Sequence, residues 1–393
     1  MKVAFLTAGG IAPCLSSSIG MLMKKYHSHD STIEFVGYLH GYKGLLKGSK
    51  IDLLPNKIDL INKFGGSFLG NSRVKLTNIN DCIKNGYITK NQKPIEVAAK
   101  QLVNDNIDIL HTIGGDDTNT TAGDLVSYLH NKGFEITVVG LPKTIDNDVT
   151  PIKKTLGSDT AAEQTAIFFD NIVNENTTSS RQLIIHEVMG RNCGWLTAYS
   201  ALLYRKLLEK KTFLPEININ KKKWDIHAIY IPEKPFDLDR ESIRLKKVMN
   251  ENDCVNIFIS EGAGLENIIE QMKINNEEIK YDAFGHVRID EINPGAWFGK
   301  YLKKSLNADK VLIQKSGYFA RSSAPNKNDI DLIDKSTNKA VQCALEHESG
   351  VVGLHEDSNQ VECIDFSNIR GGKKFDINQK WFNDLLLSID QLV

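Results

Sequence analysis

Two short polar segments hold the residue types that phosphate chemistry needs. The first, Gly114–Asp117, follows the apolar run Ile107–Ile113, and the second, Pro142–Asp148, follows the apolar run Ile136–Leu141. Glycines let a backbone approach a phosphate closely, and the helical pattern after the first segment would supply unpaired N–H groups. A carboxylate such as Asp116 would repel a bare phosphate, so its functional use there is to hold Mg²⁺. The two segments therefore indicate a site for magnesium-bound phosphate.

Each segment also has a purely structural interpretation. Asp117 or Thr118 is a suitable N-cap for the following helix, and a turn would explain the proline, asparagine and aspartates of the second segment. A turn does not explain why Lys143 joins carboxylates at the end of a second strand. A sugar hydroxyl is a weak nucleophile, so a carboxylate that accepts its proton would assist phosphoryl transfer. Asp146 is the candidate for this base.

The elements around these segments alternate between strand and helix. Ala122, Leu125, Val126 and Leu129 fall on one helical face, as in an amphipathic helix that packs on a sheet. Seven apolar runs resemble buried parallel strands, and strand–helix alternation predicts an α/β fold with ligands at the carboxyl ends of the strands. The runs are Val3–Leu6, Ile107–Ile113, Ile136–Leu141, Gln182–Val188, His227–Ile231, Val255–Ile259 and Lys310–Ile313.

The overall composition excludes several classes of function. The 48 basic and 49 acidic residues nearly cancel, so no global field would attract nucleic acid or an anionic membrane. The six cysteines lack the spacing of a zinc site, which favours reduced, buried thiols. Gly9 and Gly10 interrupt the apolar run that begins at Val3, too early for a secretory signal. We expect a cytoplasmic protein.

Further motifs along the chain resemble those of the phosphofructokinase family, and in particular its pyrophosphate-dependent branch. The resemblance covers nearly the whole chain and implies the phosphofructokinase fold, with two Rossmann-like domains of mostly parallel sheets and flanking helices. Besides the two loops above, it rests on Thr7–Pro13, Gly65–Arg73, Met189–Arg191, Glu261–Gly264, Phe284–Val287, Asn293–Phe298 and Gln314–Arg321.

The resemblance implies three regions with different roles. Residues 1–150 would form a domain for the donor, pyrophosphate with Mg²⁺, and residues 151–310 a domain for the acceptor, fructose 6-phosphate. The strand pattern itself pauses near Thr150-Pro151, which indicates a crossover between two sheets there. Residues 311–393 would complete both domains. The family also implies a homodimer.

The resemblance assigns roles to individual residues. Asp146, Lys143 and Arg191 would be catalytic, and Asp116 would carry the metal ion. Gly10, Arg73, Asp117 and Lys143 would bind or select the donor. The acceptor would be bound by Thr144, Ile145, Asp146, Met189, Gly190, Arg191, Glu261, Lys315, Tyr318, Phe319, Ala320 and Arg321, with Lys315, Tyr318 and Arg321 near its 6-phosphate.

The choice of donor depends on two side chains. The ATP-using relatives carry glycine at the positions of Asp117 and Lys143. Asp117 would place negative charge where the α-phosphate of a nucleotide would lie, and like charges about 4 Å apart repel by roughly 4 kcal/mol at an effective dielectric of about 20. Lys143 would offer a cation to the pyrophosphate and to the leaving phosphate. The alternatives are a solvated turn lysine and a helix-capping aspartate.

The chain departs from the family pattern at two places. The family has an arginine seven residues before the methionine of Met189–Arg191, where this chain has Gln182, with Arg181 adjacent. Either the loop is shifted by one residue or the contact is lost. His286 lies in a Gly-His-Val context without the following arginine of the ATP enzymes, so we expect a structural residue.

Three other functions compete with this one. An ATP-dependent phosphofructokinase would lack Asp117 and Lys143. NAD and lipid kinases share the Gly-Gly-Asp turn but do not require Lys143 and Asp146 together. A catalytically idle paralogue that senses sugar phosphates would have no chemical need for Asp116, Asp146 or Arg191. Transfer of a phosphoryl group from pyrophosphate to fructose 6-phosphate is therefore the favoured hypothesis.

Overall fold

The structure is a computed structural model that describes residues 1–55, 58–280 and 292–391. Two units are present. The first contains Met1–Ala161 and Arg321–Lys373, and the second contains Ala162–Ala320 and Lys374–Val393. Among the described residues, no helix combines the length and apolar character needed to cross a bilayer.

Strands and helices alternate through much of the chain, and short 3-10 helices lie at Val173–Thr177, Pro215–Ile217 and Phe366–Asn368. The strands are β1 (Lys2–Thr7), β2 (Glu34–Tyr38), β3 (Lys50–Leu53), β4 (Ile109–Gly114), β5 (Thr137–Pro142), β6 (Ile152–Lys154), β7 (Gln182–Val188), β8 (Ala228–Tyr230), β9 (Cys254–Ser260), β10 (Lys310–Lys315), β11 (Gly350–His355) and β12 (Val361–Ile364). The helices are α1 (Leu15–His29), α2 (Tyr42–Lys47), α3 (Ile58–Ile61), α4 (Ile79–Lys84), α5 (Pro94–Asn104), α6 (Asp116–Asn131), α7 (Ser158–Ile172), α8 (Trp195–Leu208), α9 (Lys221–Trp224), α10 (Leu238–Asn252), α11 (Leu265–Ile274), α12 (Pro294–Leu306), α13 (Gly317–Ser322), α14 (Lys327–Leu345) and α15 (Lys380–Leu387).

The first unit contains a sheet in the order β12-β11-β5-β4-β1-β2-β3, with β6 paired to β11. Strands β1, β4 and β5 are parallel neighbours, with Thr7 opposite Ile113 and Gly114 opposite Pro142. Every residue of β4 and β5 is buried, as expected for strands covered on both faces. Because parallel strands end at the same edge, the loops after β1, β4 and β5 are neighbours.

The second unit contains a parallel sheet in the order β10-β7-β9-β8. Val188 at the end of β7 lies opposite Ser260 at the end of β9, and Glu187 lies opposite Lys315 at the end of β10. Side chains of β7, β8, β9 and β10 pack with those of α10 and α12 in one apolar cluster. The loops that follow β7, β9 and β10 therefore start from one edge of this sheet.

The α/β prediction and all seven predicted strands are confirmed. Reading apolar runs missed β2, β3, β6, β11 and β12; β6 has only three residues, and β3 is largely exposed, so it lacks the apolar run of a central strand. The described units divide after Ala161, Ala320 and Lys373, which differs from the expected divisions at residues 150 and 310. The reason is that β6, just beyond Pro151, pairs with β11 and so extends the first sheet.

Candidate functional site

A cleft of about 490 Å³ lies in the first unit at the carboxyl ends of β1, β4 and β5. It brings together nine of the predicted site residues: Gly10, Arg73, Asp116, Asp117, Lys143, Thr144, Ile145, Asp146 and Arg321. We call this the donor cleft. The other predicted site residues, from Met189 to Ala320, belong to the second unit.

The turn between β4 and α6 is held by a side chain that the sequence did not point to. The Asn119 amide donates to the carbonyl oxygens of Gly114 and Gly115, at 3.1 and 3.0 Å. A Cβ atom at Gly140 would lie 2.2 Å from Asn119 Oδ1, so the glycine in β5 leaves room for this amide. Asn119 is fully buried. The sequence did contain one indication of this role, because Asn119 is a polar residue on the buried face of an amphipathic helix.

The capping alternative for the first segment is not what the structure shows. The N-cap position is Gly115, which has no side-chain cap, and Asp116 and Asp117 form the first turn of α6. Thr118 packs against Gly114, where an added Cβ would lie 2.3 Å from Thr118 Oγ1. Asp117 is exposed and pairs with Lys75 at 2.7 Å. Both carboxylates therefore lie at a helix N-terminus without capping it.

Lys143 is a buried cation that joins two of the loops. Its side chain is 5% exposed, and Nζ donates to the Gly10 carbonyl oxygen at 2.7 Å. The pKa of Lys143 is lowered to about 8, mainly by burial; the charges of Arg321 and Arg73 contribute to the lowering, whereas Cys14 and Asp146 oppose it. A solvated turn lysine would have neither the burial nor the bond to Gly10.

The loop after Lys143 is fixed by local hydrogen bonds. Thr144 Oγ1 accepts from the Asp146 N–H at 3.2 Å and donates to the Asp148 carboxylate at 3.0 Å. Asn147 has a positive φ of 54°, and its side chain accepts from the Thr155 N–H at 2.9 Å. Such bonds hold a backbone conformation that non-glycine residues rarely adopt. The loop presents Asp146 and Asp148 to the donor cleft.

Asp148 is a further carboxylate of the cleft that the predicted site residues did not include. Burial raises the pKa of Asp148, and the negative charge of Asp116 raises it further, while the bond from Thr144 opposes both. Mutual repulsion of carboxylates in one cleft is relieved by a bound cation. Asp116 and Asp148 thus form the part of the cleft that suits a divalent metal ion.

Gly10 and Arg321 make a close contact in the donor cleft. A Cβ atom at Gly10 would lie 2.5 Å from Arg321 Nη1, and this nitrogen also donates to the Ile11 carbonyl oxygen at 3.5 Å. Only a residue without a side chain leaves room for the guanidinium. The structure therefore places Arg321 among the residues expected for the donor, whereas the sequence predicts a contact with the 6-phosphate of the acceptor.

In the second unit, the loops after β7 and β9 approach each other closely. The Glu261 N–H donates to the Val188 carbonyl oxygen at 2.9 Å, and a Cβ atom at Gly262 would lie 1.9 Å from the Arg191 carbonyl oxygen. Gly190 has a φ of 127°, which glycine adopts without strain. Met189, Gly190, Arg191 and Glu261 therefore lie on two adjoining loops, and their contact with the acceptor stays a prediction.

Lys315 lies in an ionic cluster with a glutamate that sequence reasoning missed. Its Nζ lies 2.7 Å from Glu187 Oε1 and donates to Asn293 Oδ1 at 3.0 Å. Glu187 is 5% exposed and also accepts from the Gly295 N–H at 2.9 Å. Beside this cluster, Tyr318 is 79% exposed and Phe319 contacts Phe168, whereas Ala320 is buried. The cluster fixes the end of β10.

The structure accounts for Arg181 and Gln182. The Arg181 guanidinium donates to the carbonyl oxygens of Leu306 and Asn307, at 2.6 and 2.7 Å, and so satisfies the C-terminus of α12. Gln182 is fully buried in β7. Arg181 is therefore engaged within its own unit. Residues Phe284–Val287, including His286, lie outside the described residues.

Comparisons with known proteins agree with this arrangement. Residues 2–344 match the family described as Phosphofructokinase. The chain belongs to the phosphofructokinase family. It is 53% identical to the pyrophosphate--fructose 6-phosphate 1-phosphotransferase of Methylotuvimicrobium alcaliphilum, over 99% of this chain and 96% of the relative. The protein of the same name from Methylomonas methanica is 52% identical over the same shares of the two chains.

A solved structure shares the phosphofructokinase fold. It is the crystal structure of the pyrophosphate-dependent phosphofructokinase from Marinobacter aquaeolei, with a TM-score of 0.72 and 20% identity, covering 99% of this chain and 91% of that one. At this identity the likeness concerns the fold alone. The predicted phosphofructokinase fold is confirmed.

The phosphofructokinase match ends at residue 344, yet later residues contribute to the donor cleft. An added Cβ at Gly371 would lie 1.8 Å from Asp116 Oδ2, so this glycine packs directly on the carboxylate. The Lys373 N–H donates to the Asp148 carbonyl oxygen at 2.9 Å. No motif marks these contacts, because they depend on a segment more than 200 residues away in sequence.

The buried Lys143 charge has a measurable effect on stability. The pKa of Lys143 falls from 10.5 in the unfolded chain to about 8 in the folded protein, so below about pH 8 the buried charge destabilises the folded protein. As pH rises from about 8 toward 10.5, the folded protein loses this proton before the unfolded chain does, and its stability increases. We expect the unfolding free energy of Lys143→Met, relative to the unsubstituted chain, to fall by about 2 kcal/mol between about pH 7 and pH 9.5. Denaturant titrations at both pH values measure this. Exposed Lys63, replaced by Met, is the control; an equal change there would contradict the prediction.

Proposed function

We propose that the chain transfers a phosphoryl group from pyrophosphate to the C1 hydroxyl of fructose 6-phosphate. The products are fructose 1,6-bisphosphate and phosphate, and the reaction is reversible. The observation that carries the proposal is the donor cleft, where buried Lys143 and the carboxylates Asp116, Asp117, Asp146 and Asp148 meet at the ends of three parallel strands. The relatives that are about half identical over nearly the whole chain carry the name of this activity.

Asp117 and Lys143 select the donor in this proposal. Asp117 is exposed in the cleft, so its charge faces any group that extends beyond pyrophosphate. Lys75, at 2.7 Å, neutralises part of that charge and keeps the carboxylate in place. Lys143 is bonded to Gly10 and needs little rearrangement to attract the anionic donor, which is how preorganised charge favours a transition state.

The cleft fits the Mg²⁺ that the resemblance implies. Asp116 and Asp148 supply oxygen ligands of the type that Mg²⁺ prefers, and their proximity raises the pKa of Asp148 in the absence of a cation. When bound there, Mg²⁺ would supply positive charge to offset the charge of the phosphates. Asp116 would hold the ion, and Gly371 fixes the carboxylate by leaving room for it.

Asp146 is the proposed base. As the C1 oxygen bonds to phosphorus and the bond to the bridging oxygen of pyrophosphate breaks, Asp146 takes the hydroxyl proton and phosphate leaves. The bond from the Asp146 N–H to Thr144 Oγ1 holds this loop, in which Thr144 and Ile145 would contact the acceptor. Arg73 and Gly10 contribute to donor binding on the opposite loops of the same cleft.

The remaining roles concern the acceptor. Arg191, with Met189, Gly190 and Glu261, would bind the sugar and stabilise charge on the transferring group. Lys315, Tyr318, Phe319 and Ala320 of the second unit would form the site for the 6-phosphate, whereas Arg321, which the sequence assigned to the same site, lies against Gly10 in the donor cleft. The exposure of Tyr318 supports this assignment, and the Lys315 side chain remains half exposed in its ion pair with Glu187. A homodimer and a cytoplasmic location remain predictions.

A coupled assay tests the donor. Purified protein with fructose 6-phosphate and Mg²⁺ receives either pyrophosphate or ATP as the only donor. We expect turnover with pyrophosphate and at least tenfold less with ATP, because the charge of Asp117 opposes the nucleotide. Equal or faster turnover with ATP would support the ATP-dependent alternative, and none with either donor the idle paralogue.

The base is tested by comparing two neighbouring carboxylates. Asp146→Ala should lower kcat by about 10²-fold or more with a small change in KM, because it removes an interaction made during proton transfer. Asp148→Ala should mainly raise the Mg²⁺ concentration needed for half-maximal rate. Steady-state kinetics over a range of Mg²⁺ concentrations separates the two effects. A rise in KM with unchanged kcat in Asp146→Ala would make Asp146 a binding group.

The contact between Gly371 and Asp116 gives a test without turnover. A Cβ at residue 371 must displace the Asp116 carboxylate, so Gly371→Ala should weaken Mn²⁺ binding in the presence of pyrophosphate about tenfold. Electron paramagnetic resonance of free Mn²⁺ measures this. Gly317→Ala, where an added Cβ meets no atom within 4 Å, is the control. Unchanged Mn²⁺ affinity in a folded Gly371→Ala protein would exclude Asp116 as the metal carrier.

A further inference from the structure

Two cysteines and a glutamate meet in the first unit, apart from the donor cleft. Cys343 lies in the last turns of α14, Glu348 in the connection to β11, and Cys363 in β12. One ligand atom from each, two sulfurs and a carboxylate oxygen, lie within 4.8 Å of one another. Within residues 1–55, 58–280 and 292–391, no other three side chains of His, Cys, Asp or Glu form such a group. We call these three residues the thiol cluster.

The backbone around the thiol cluster fixes its members. The Glu348 N–H donates to the Cys343 carbonyl oxygen at 2.8 Å, so the chain turns back on the helix end. His347 adopts a left-handed φ of 58° within that turn. Antiparallel pairing of β11 with β12 sets Cys363 opposite Val352. These main-chain features fix the backbone that carries the three ligands.

Gly350 makes room for the second sulfur. A Cβ atom there would lie 2.5 Å from Cys363 Sγ, which no side chain could tolerate without displacing the thiol. Cys343 is fully buried, whereas Cys363 is half-buried and Glu348 is exposed. The cluster thus has an apolar side closed by protein and one open side at the carboxylate. A cation would enter from the side of Glu348.

The ligand types determine which cation suits the cluster. Two sulfurs and one carboxylate oxygen are borderline-soft ligands, which suit Zn²⁺, whereas Mg²⁺ prefers oxygen alone. Three protein ligands leave a fourth tetrahedral position for water on the open side. We infer that Cys343, Glu348 and Cys363 bind one Zn²⁺ ion that ties the end of α14 to the edge strand β12.

Binding must displace two thiol protons. The pKa of Cys343 is raised to about 11 and that of Cys363 to about 12, mainly by burial, with the Glu348 carboxylate contributing to both shifts. Both thiols are therefore protonated in the metal-free protein. Each ion that binds as a dithiolate releases two protons to solvent. The inference is independent of the proposed phosphoryl transfer, because no residue of the thiol cluster lines the donor cleft.

The test measures the metal directly on the reduced full-length protein after chelator treatment. We expect one Zn²⁺ per chain by competition with a chromophoric chelator, and a thiolate charge-transfer band in the ultraviolet when Co²⁺ replaces Zn²⁺. Cys363→Ser should weaken Zn²⁺ binding at least tenfold and reduce the band. Zn²⁺ should raise the melting temperature of the unsubstituted chain more than that of Cys363→Ser.

Two further variants keep the test decisive. Glu348→Gln changes only an exposed side chain, so it should fold normally, keep the charge-transfer band and bind Zn²⁺ more weakly. Cys254→Ser alters a buried cysteine of the second unit and should bind Zn²⁺ as the unsubstituted chain does. No bound Zn²⁺, or equal affinity in the unsubstituted chain and in Glu348→Gln and Cys363→Ser, would overturn the inference. Pyrophosphate-dependent turnover should persist in Glu348→Gln, so failure here and failure of the proposed function are distinguishable.

Discussion

The hydrogen bond from the Lys143 ammonium to the Gly10 carbonyl oxygen links the loops after β5 and β1, at 2.7 Å. It forms only because three parallel strands end at one edge, which brings these loops and the Gly114–Asp117 turn together. The cation lies almost wholly away from water, so it is destabilised unless carboxylates or an anionic donor compensate. An anion bound in the cleft would offset the cost of burying this charge.

The carboxylates of the same cleft carry negative charges that are destabilised by burial and by one another. Asp116 and Asp148 repel each other, and burial makes the charge on Asp148 harder to maintain. A divalent cation and a phosphate chain would relieve the carboxylates and Lys143 together. Each of these charges is destabilised by its burial. Together they match a magnesium-bound phosphate donor, in which the cation would pair with the carboxylates and the phosphate with Lys143.

The segment that returns to the second unit supports this arrangement from outside the motifs. Gly371 packs on Asp116, and the Lys373 N–H bonds to the loop of Asp148. Immediately afterwards, in the second unit, Lys374 donates to the Asn192 carbonyl oxygen and the Phe375 N–H to Glu233, which also accepts from Gly194 at the start of α8. One short stretch of chain thus contacts loops expected to serve both substrates.

The sequence by itself determined the fold class, the two loops and the family. It could do so because apolar runs report strands buried on both faces, and because a glycine turn before a helix is a local feature. Because Asp116, Lys143 and Asp146 directly follow two apolar runs, the sequence also predicted that they share one site. Asp117 and Lys143 could be recognised as unusual because they replace residues within a known pattern.

Only the tertiary structure decided which distant side chains complete these loops. Asn119 supports the Gly114 turn through space left by Gly140, Arg321 lies against Gly10, and Gly371 packs on Asp116. The thiol cluster is the same kind of case, since the spacing of its cysteines predicts no metal site and only the packing of α14 against β12 brings them together. Such contacts arise from packing between segments far apart in sequence, so no local pattern encodes them.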